Sequence, residues 1–386
     1  MPPSLPTELW KTIFRYATSA DAGPHPGITH AKHDAHWFVV FENENLEKME
    51  TKFALRRVSH RFRRIALEFL YEFVSIDKPH QGEKLVEMMK EQSSNGEDGP
   101  CEWIRFLFVR RSSARIVTEI LSLCRSLKGF SWNPHFTQTR PKNWKAAQEE
   151  MIQNIPTNLR FLHWNERVPF KTFATFLQKA SASLQNISAS GVQAHRLHQH
   201  PSPSASYPCL THLHFDDPSL FHWLQAVTWE MEIPSLKELN LSGLHSGVEF
   251  PRVFRDAGKS LRVLQLGRHV HLMPPFLSHI LDACANLEEL YYHTGTGDGY
   301  VDDTPLWHSD VAHMKMQKVA IYASMAKHMA VSMLLHYFGP ISKTRFPSLN
   351  PVIIYDSSSG PLIPNQYSVL MRRVSEDFRS AEISEM

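Results

Sequence analysis

Residues 236–241, LKELNL, and residues 261–266, LRVLQL, decide how this chain folds. In an extended strand alternate side chains share a face, so the leucines at the fourth and sixth places of each hexad point to one side. Looser copies occur as LEELYY from Leu287, LTHLHF from Leu210 and LRFLHW from Leu159. Weaker ones are IRFLFV from Ile104, LKGFSW from Leu127, LQNISA from Leu184, MQKVAI from Met316 and LNPVII from Leu349. From Leu159 to Leu287 the six central copies recur every 25 or 26 residues. Between them lie segments with apolar residues at helical spacing, among them FKTFATFLQKA (170–180), LFHWLQAV (220–227) and FLSHILDACANL (276–287). One short strand plus one helix cannot bury its own apolar side, but stacked copies bury each other's.

The hexad and its period resemble the leucine-rich repeat. The resemblance implies an α/β fold, a solenoid with parallel strands inside and helices outside, over residues 77–359, closed by a capping helix (YSVLMRRVSEDFRS) and a polar tail in 360–386. The repeats are irregular: where the family places an Asn or Cys after the hexad, this chain has Leu244, His269 and Pro218. With places one, four and six in the core, places three and five and the following residue should form the concave face. That face is expected to present Phe161, His163, Asn165, His212, His214, Asp216, Glu238, Asn240, Gln265, Glu289, Tyr291 and His293. Its mixed polar and aromatic character suits a protein substrate.

Upstream of the repeats stands MPPSLPTELWKTIFRYAT (1–18), with apolar residues on more than one helical face. Pro6 and Glu8 are good helix-opening residues, since proline has no N–H to leave unpaired and glutamate complements the helix dipole. Further on, FALRRVSHRFRRIALEFLYEFVSI carries Leu55, Val58, Phe62, Ile65, Ala66, Phe69 and Phe73 at steps of three or four, predicting one amphipathic helix over 53–73. Together, Leu5-Pro6-x-Glu8-Leu9 with Ile13 and Phe14, and the segment Val58 to Ile65, resemble the F-box family. The resemblance covers nearly the whole chain in its layout, an F-box-like helical module (1–76) before leucine-rich repeats, with an insertion at 19–52. It implies docking on a Skp-type adaptor of a cullin–RING ubiquitin ligase through Leu5, Pro6, Leu9, Ile13, Val58, Phe62 and Ile65, with Glu8 and Arg61 at the polar rim. The repeats would then hold a protein substrate, and the subunit would be non-catalytic. The competing reading is a repeat scaffold or sensor unconnected to ubiquitin, in which the repeats bury Leu5, Pro6 and Ile13.

Composition narrows the remaining classes. The 386 residues are 42% hydrophobic and 21% charged, and 41 Lys+Arg against 39 Asp+Glu leave a net charge of +2, which argues for neither nucleic acid nor a membrane surface. No apolar run approaches the 18 or so residues of a membrane span. The four cysteines are far apart and form no CxxC, which fits reduced thiols in an intracellular protein, cytoplasmic or nuclear. Cys124 and Cys284 each sit three residues before a hexad and read as buried packing residues. The arginine-rich RRVSHRFRR (56–64) reads as a solvated helix face. His30, His33 and His36, and separately His195, His198 and His200, lie in loop-like stretches without cysteine, so neither a metal nor a cofactor is expected. TGTGDGYVDD (294–303) lacks the lysine of a phosphate loop and reads as an acidic insertion.

Overall fold

The computed structural model describes residues 5–18, 37–95, 99–134, 143–193, 205–215, 231–244, 254, 257–270, 274–293, 312–323, 341, 344–349, 352–356 and 381–385. The fold is α/β with parallel strands, in two compact units: Met1–Val168 with Thr175–Ala180, and Pro169–Ala174 with Ser181–Met386.

The first unit begins with three helices, α1 (Thr7–Thr18), α2 (Trp37–Val58) and α3 (His60–Tyr71). Residues 37–52, expected to belong to an insertion, are part of α2, and the single helix expected over 53–73 is broken at Ser59. The cause is local: Ser59 has extended backbone (φ −161°, ψ 166°) and its Oγ accepts the Phe62 N–H at 3.1 Å, capping α3. Phe14, Ile65, Ala66 and Phe69 form the core of these helices, with Trp10, Leu55 and Phe62 packed against it. The Phe62 ring lies 4.6 Å from that of Trp10 and meets Phe14 edge-on at 5.0 Å.

Four parallel strands follow in chain order: β1 (Phe73–Ile76), β2 (Phe106–Val109), β3 (Gly129–Trp132) and β4 (Phe161–Pro169). Helices α4 (Pro79–Asn95), α5 (Pro100–Trp103), α6 (Ala114–Leu123) and α7 (Trp144–Asn154) lie in the crossovers. Strand β1 is a further hexad, YEFVSI (71–76), so residues 73–76 pair with the sheet and the helical module ends before them. Leu107, Val109, Phe130, Trp132, Leu162 and Trp164 are buried on one face of these strands, along with Val117 and Ile120 of α6 and Met151 of α7. Trp132 stacks on Trp144 of α7 at 5.8 Å.

Helix α8 (Phe170–Ala180) is divided between the units, residues 170–174 in the second and 175–180 in the first. In the second unit, β5 (Asn186–Gln193), β7 (His212–Phe215), β9 (Glu238–Leu244), β10 (Val263–Val270), β11 (Glu289–His293), β12 (Lys318–Ala323), β13 (Val352–Asp356) and β14 (Ala381–Glu385) pair parallel, each with the next. A second, two-stranded ladder joins β6 (Ala205–Ser206) to β8 (Met231–Glu232), and α9 (Pro274–Ala283) precedes β11. Residues 381–385, expected as a polar tail, form β14, whereas the expected capping helix lies outside the described residues. The hexads from Ile104 to Met316 bury their first, fourth and sixth side chains, as Leu236, Leu239 and Leu241 do, worth about 1.5–3 kcal/mol per large apolar side chain before entropy is charged, whereas Tyr71 and Val74 of the β1 hexad are half-buried. Without an Asn to turn the chain after the hexad, β9 and β10 run on until Leu244 pairs with Val270, through a register shift between Leu266 and His269.

Gly258 marks a close approach between two backbones. A Cβ there would stand 2.1 Å from the Phe254 carbonyl oxygen and 2.4 Å from that of Ala283. Neither oxygen belongs to a flexible side chain, so Gly258→Ala should destabilise the second unit by about 1–3 kcal/mol. A denaturant titration with an unchanged midpoint would contradict this packing.

Candidate functional site

Helix α1 carries two apolar stripes. Trp10 and Phe14, one turn apart, point into the module core, and the buried Thr18 hydroxyl donates to the Phe14 carbonyl at 2.7 Å. Leu9, Ile13 and Tyr16 are related by the same helical spacing but face solvent. Among the residues expected to meet an adaptor, Leu5 is 41% exposed, Leu9 49%, Ile13 45% and Val58 64%, and Pro6 and Glu8 are exposed too. Ile65 is not on this surface: it is 4% exposed, on the inward side of α3 against Phe14 and Phe69. Phe62 is half-buried between Trp10 and Phe14 for the same reason. Nor is Arg61 a free rim charge, because its Nη2 donates to the Leu5 carbonyl at 2.8 Å and to Thr7 Oγ1 at 3.1 Å. A Lys11–Glu68 ion pair at 2.7 Å adds a second tie between α1 and α3.

The break at Ser59 creates a feature that periodicity hides. At the α2–α3 elbow an open cavity of about 720 Å³ is lined by Phe53, Arg56, Arg57, Val58, Ser59, His60 and Arg63. The arginines that read as a solvated helix face thus flank a concavity with exposed Phe53 and Val58 in its wall. Tyr16, Leu46 and Phe53 are also exposed on these helices and were not among the expected docking residues. The usable signal was Ser59 itself, a capping residue inside an otherwise helical run.

The strand face expected to meet substrate divides into closed and open parts. Phe161, His163 and Tyr291 are buried, and Asn240 nearly so, which removes them from an open surface. Neighbouring strands bring like rows side by side, and large side chains in one row cover one another. Phe73 stacks on Phe106 at 4.7 Å, and Phe106 meets Phe161 at 5.8 Å across Gly129, whose missing Cβ would lie 2.4 Å from the Phe106 ring. Ser131 Oγ and His163 Nδ1 are 2.8 Å apart. Tyr291 packs with Ala320 and Tyr322, donates its hydroxyl to Glu289 at 2.5 Å, and lies under the Lys318 ammonium at 5.2 Å. Asn165 is exposed and donates to Asn133 at 2.9 Å. His212, His214, Glu238, Gln265, Glu289 and His293 are half-buried along the strands of the second unit. Asp216 lies outside the described residues, as do both histidine clusters and residues 294–303.

Burial pushes the thiols of Cys124 and Cys284 up to about 12, which leaves both as thiols at neutral pH. Among the described residues no group of three or more His, Cys, Asp or Glu is placed to hold a metal ion, and no helix is long and apolar enough to cross a membrane.

His212 gives the open row a pH dependence. Burial, and secondarily the Lys237 charge, push its imidazole down to about 4, so at pH 7 it is neutral beside Glu238, 3.6 Å away, with Thr211 Oγ1 2.8 Å from its Nδ1. A depressed folded-state value means the unfolded chain binds the extra proton first as pH falls, so stability decreases from about 6.5 down to about 4. The loss attributable to His212 is on the order of 3 kcal/mol, and His212→Gln should flatten that part of the stability profile. Parallel profiles for the two proteins in chemical denaturation between pH 7 and pH 4 would refute the assignment.

No model of a known protein family matches the chain, and no curated protein matches it.

Proposed function

We propose that this chain is the substrate-receptor subunit of a Skp–cullin–F-box-type ubiquitin ligase: an F-box-like helical module followed by irregular leucine-rich repeats. One observation carries the reading. Of the eight large hydrophobic residues exposed among the described residues, seven (Leu5, Leu9, Ile13, Tyr16, Leu46, Phe53 and Val58) belong to the amino-terminal helices. Apolar side chains concentrated in this way, beside an arginine-lined cavity, suit a partner that covers them. The competing scaffold reading needs Leu5, Pro6 and Ile13 buried by the repeats, and all three are exposed. The subunit itself is non-catalytic in this reading. It docks the adaptor through Leu5, Pro6, Leu9, Ile13 and Val58, and it receives a protein substrate along the half-buried row His212, His214, Glu238, Gln265 and Glu289.

Co-purification with a Skp-type adaptor tests the proposal. The native chain should bind, and Leu5→Ala/Leu9→Ala/Ile13→Ala should weaken binding by about 100-fold, since each truncation removes roughly 1 kcal/mol of buried contact. All three side chains lie outside the module core, so the circular dichroism spectrum should be unchanged. A native chain that does not retain the adaptor overturns the proposal.

A further inference from the structure

In the first unit, backbone register sets Glu72, Arg105, Lys128 and Arg160 in a row across the starts of β1 to β4. The N–H groups of Arg105, Lys128 and Arg160 donate to the carbonyls of Glu72, Arg105 and Lys128 at 3.0, 2.7 and 2.8 Å. Strands lie about 4.8 Å apart, so three cationic side chains stand on neighbouring strands with one carboxylate at the end of the row. Two further cations approach from the helices. Lys52 of α2 is 1% exposed, with its Nζ 4.8 Å above the Phe73 ring and no hydrogen-bond acceptor among the described residues, and the Arg15 guanidinium of α1 is 5.9 Å from the Phe69 ring.

Four positive side chains therefore act on one carboxylate, and Arg160 acts on the last of them, Lys128. Burial raises the Glu72 pKa, and Lys52, Arg15, Arg105 and Lys128 pull it back. Lys52 is pushed down to about 8 by burial, against the attraction of Glu72. Lys128 is pushed down by burial and then by its like-charged neighbours Arg105 and Arg160, with Glu72 opposing. Arg105 is partly engaged, its Nη1 donating to the Ser126 carbonyl at 3.3 Å. Lys128 is half-exposed and Arg160 exposed, and neither has an ion pair or a side-chain hydrogen bond among the described residues. Like charges on adjacent strands repel, and the single carboxylate of Glu72 offsets only part of that repulsion. A multiply charged anion offsets the rest, because ammonium and guanidinium groups converging on phosphoryl oxygens make short, charge-assisted hydrogen bonds.

We propose that Arg105, Lys128 and Arg160, backed by Lys52 and Arg15, form a binding site for a phosphoryl group carrying two or more negative charges. The site opens at the leading edge of the first strands. It draws on none of the exposed apolar residues of the amino-terminal helices, and it stands or falls independently of adaptor docking.

Calorimetric titration of the full chain with tripolyphosphate at low salt tests the site. Saturable binding to a single site is expected, at least about tenfold weaker in Lys128→Gln/Arg160→Gln and weakened by added salt. Arg56→Gln/Arg63→Gln, which removes the same charge from the elbow cavity, should bind as the native chain does. Without ligand, Lys128→Gln/Arg160→Gln should melt no lower than the native chain, because the burial penalty and repulsion relieved outweigh the attraction of Lys128 to Glu72. A peptide bearing one phosphoserine that displaces tripolyphosphate, where its unphosphorylated form does not, assigns the group to a protein partner. Failure of that peptide to compete assigns it to a free polyphosphate compound. Absence of saturable binding, or equal weakening by both double substitutions, overturns the proposal.

Discussion

At the starts of eight strands, β2 to β4, β7 and β9 to β12, two backbone N–H groups share one carbonyl oxygen of the preceding hexad, and the rest of the repeat is hung from that point. The carbonyl of Lys237 accepts from the N–H groups of Arg262 and Val263 at 2.8 and 2.9 Å. The carbonyls of Glu72, Arg105, Lys128, Gln185, Thr211, Arg262 and Glu288 each accept two N–H groups from the following strand in the same way. The shared oxygen sits at the second place of the hexad and fixes the phase of the strand that follows. From there the first, fourth and sixth side chains go to the core without further instruction. Crossovers of unequal length are tolerated because nothing in this bonding depends on what happens between one strand start and the next.

That constraint explains which parts of the fold were legible. Nine of the ten hexads recognised in the sequence open a strand at their third residue, from Phe106 through Lys318. The hexad at Tyr71 was not seen, because Phe69 and Phe73 continue the helical spacing of α3 and mask the change of period. The break at Ser59 escaped for a related reason: Val58 and Phe62 are spaced as a helix would space them, and only the serine hydroxyl, bonded to the Phe62 N–H, says otherwise.

The candidate surfaces were legible in direction and not in exposure. Alternation tells which way a strand side chain points, but not what stands beside it on the next strand, 23 to 33 residues away. Phe161 was expected on an open face; it is covered because Phe106 folds over a glycine between them. Tyr291 is covered by Ala320 and Tyr322. On α1 the ambiguity ran the other way. Two apolar stripes were visible from spacing, and the packing of Trp10 and Phe14 against Phe62 and Phe69 decides which of them is core. Arg105, Lys128 and Arg160 hold the second place of three successive hexads, so the repeat already aligns them, whereas Glu72 is hidden with the hexad at Tyr71 and Lys52 and Arg15 come from helices outside the repeat.

Arg61 has a consequence of another kind. By donating to the Leu5 carbonyl and to Thr7 Oγ1 it holds the first turn of α1 in place from a different helix, 56 residues away in the chain. A terminal segment that is ordered in advance surrenders little freedom when something settles on it, whereas a frayed one must first be gathered up. The guanidinium therefore acts as preorganisation: it leaves the apolar stripe of α1 as a rigid template, on which a partner would spend little free energy assembling the helix.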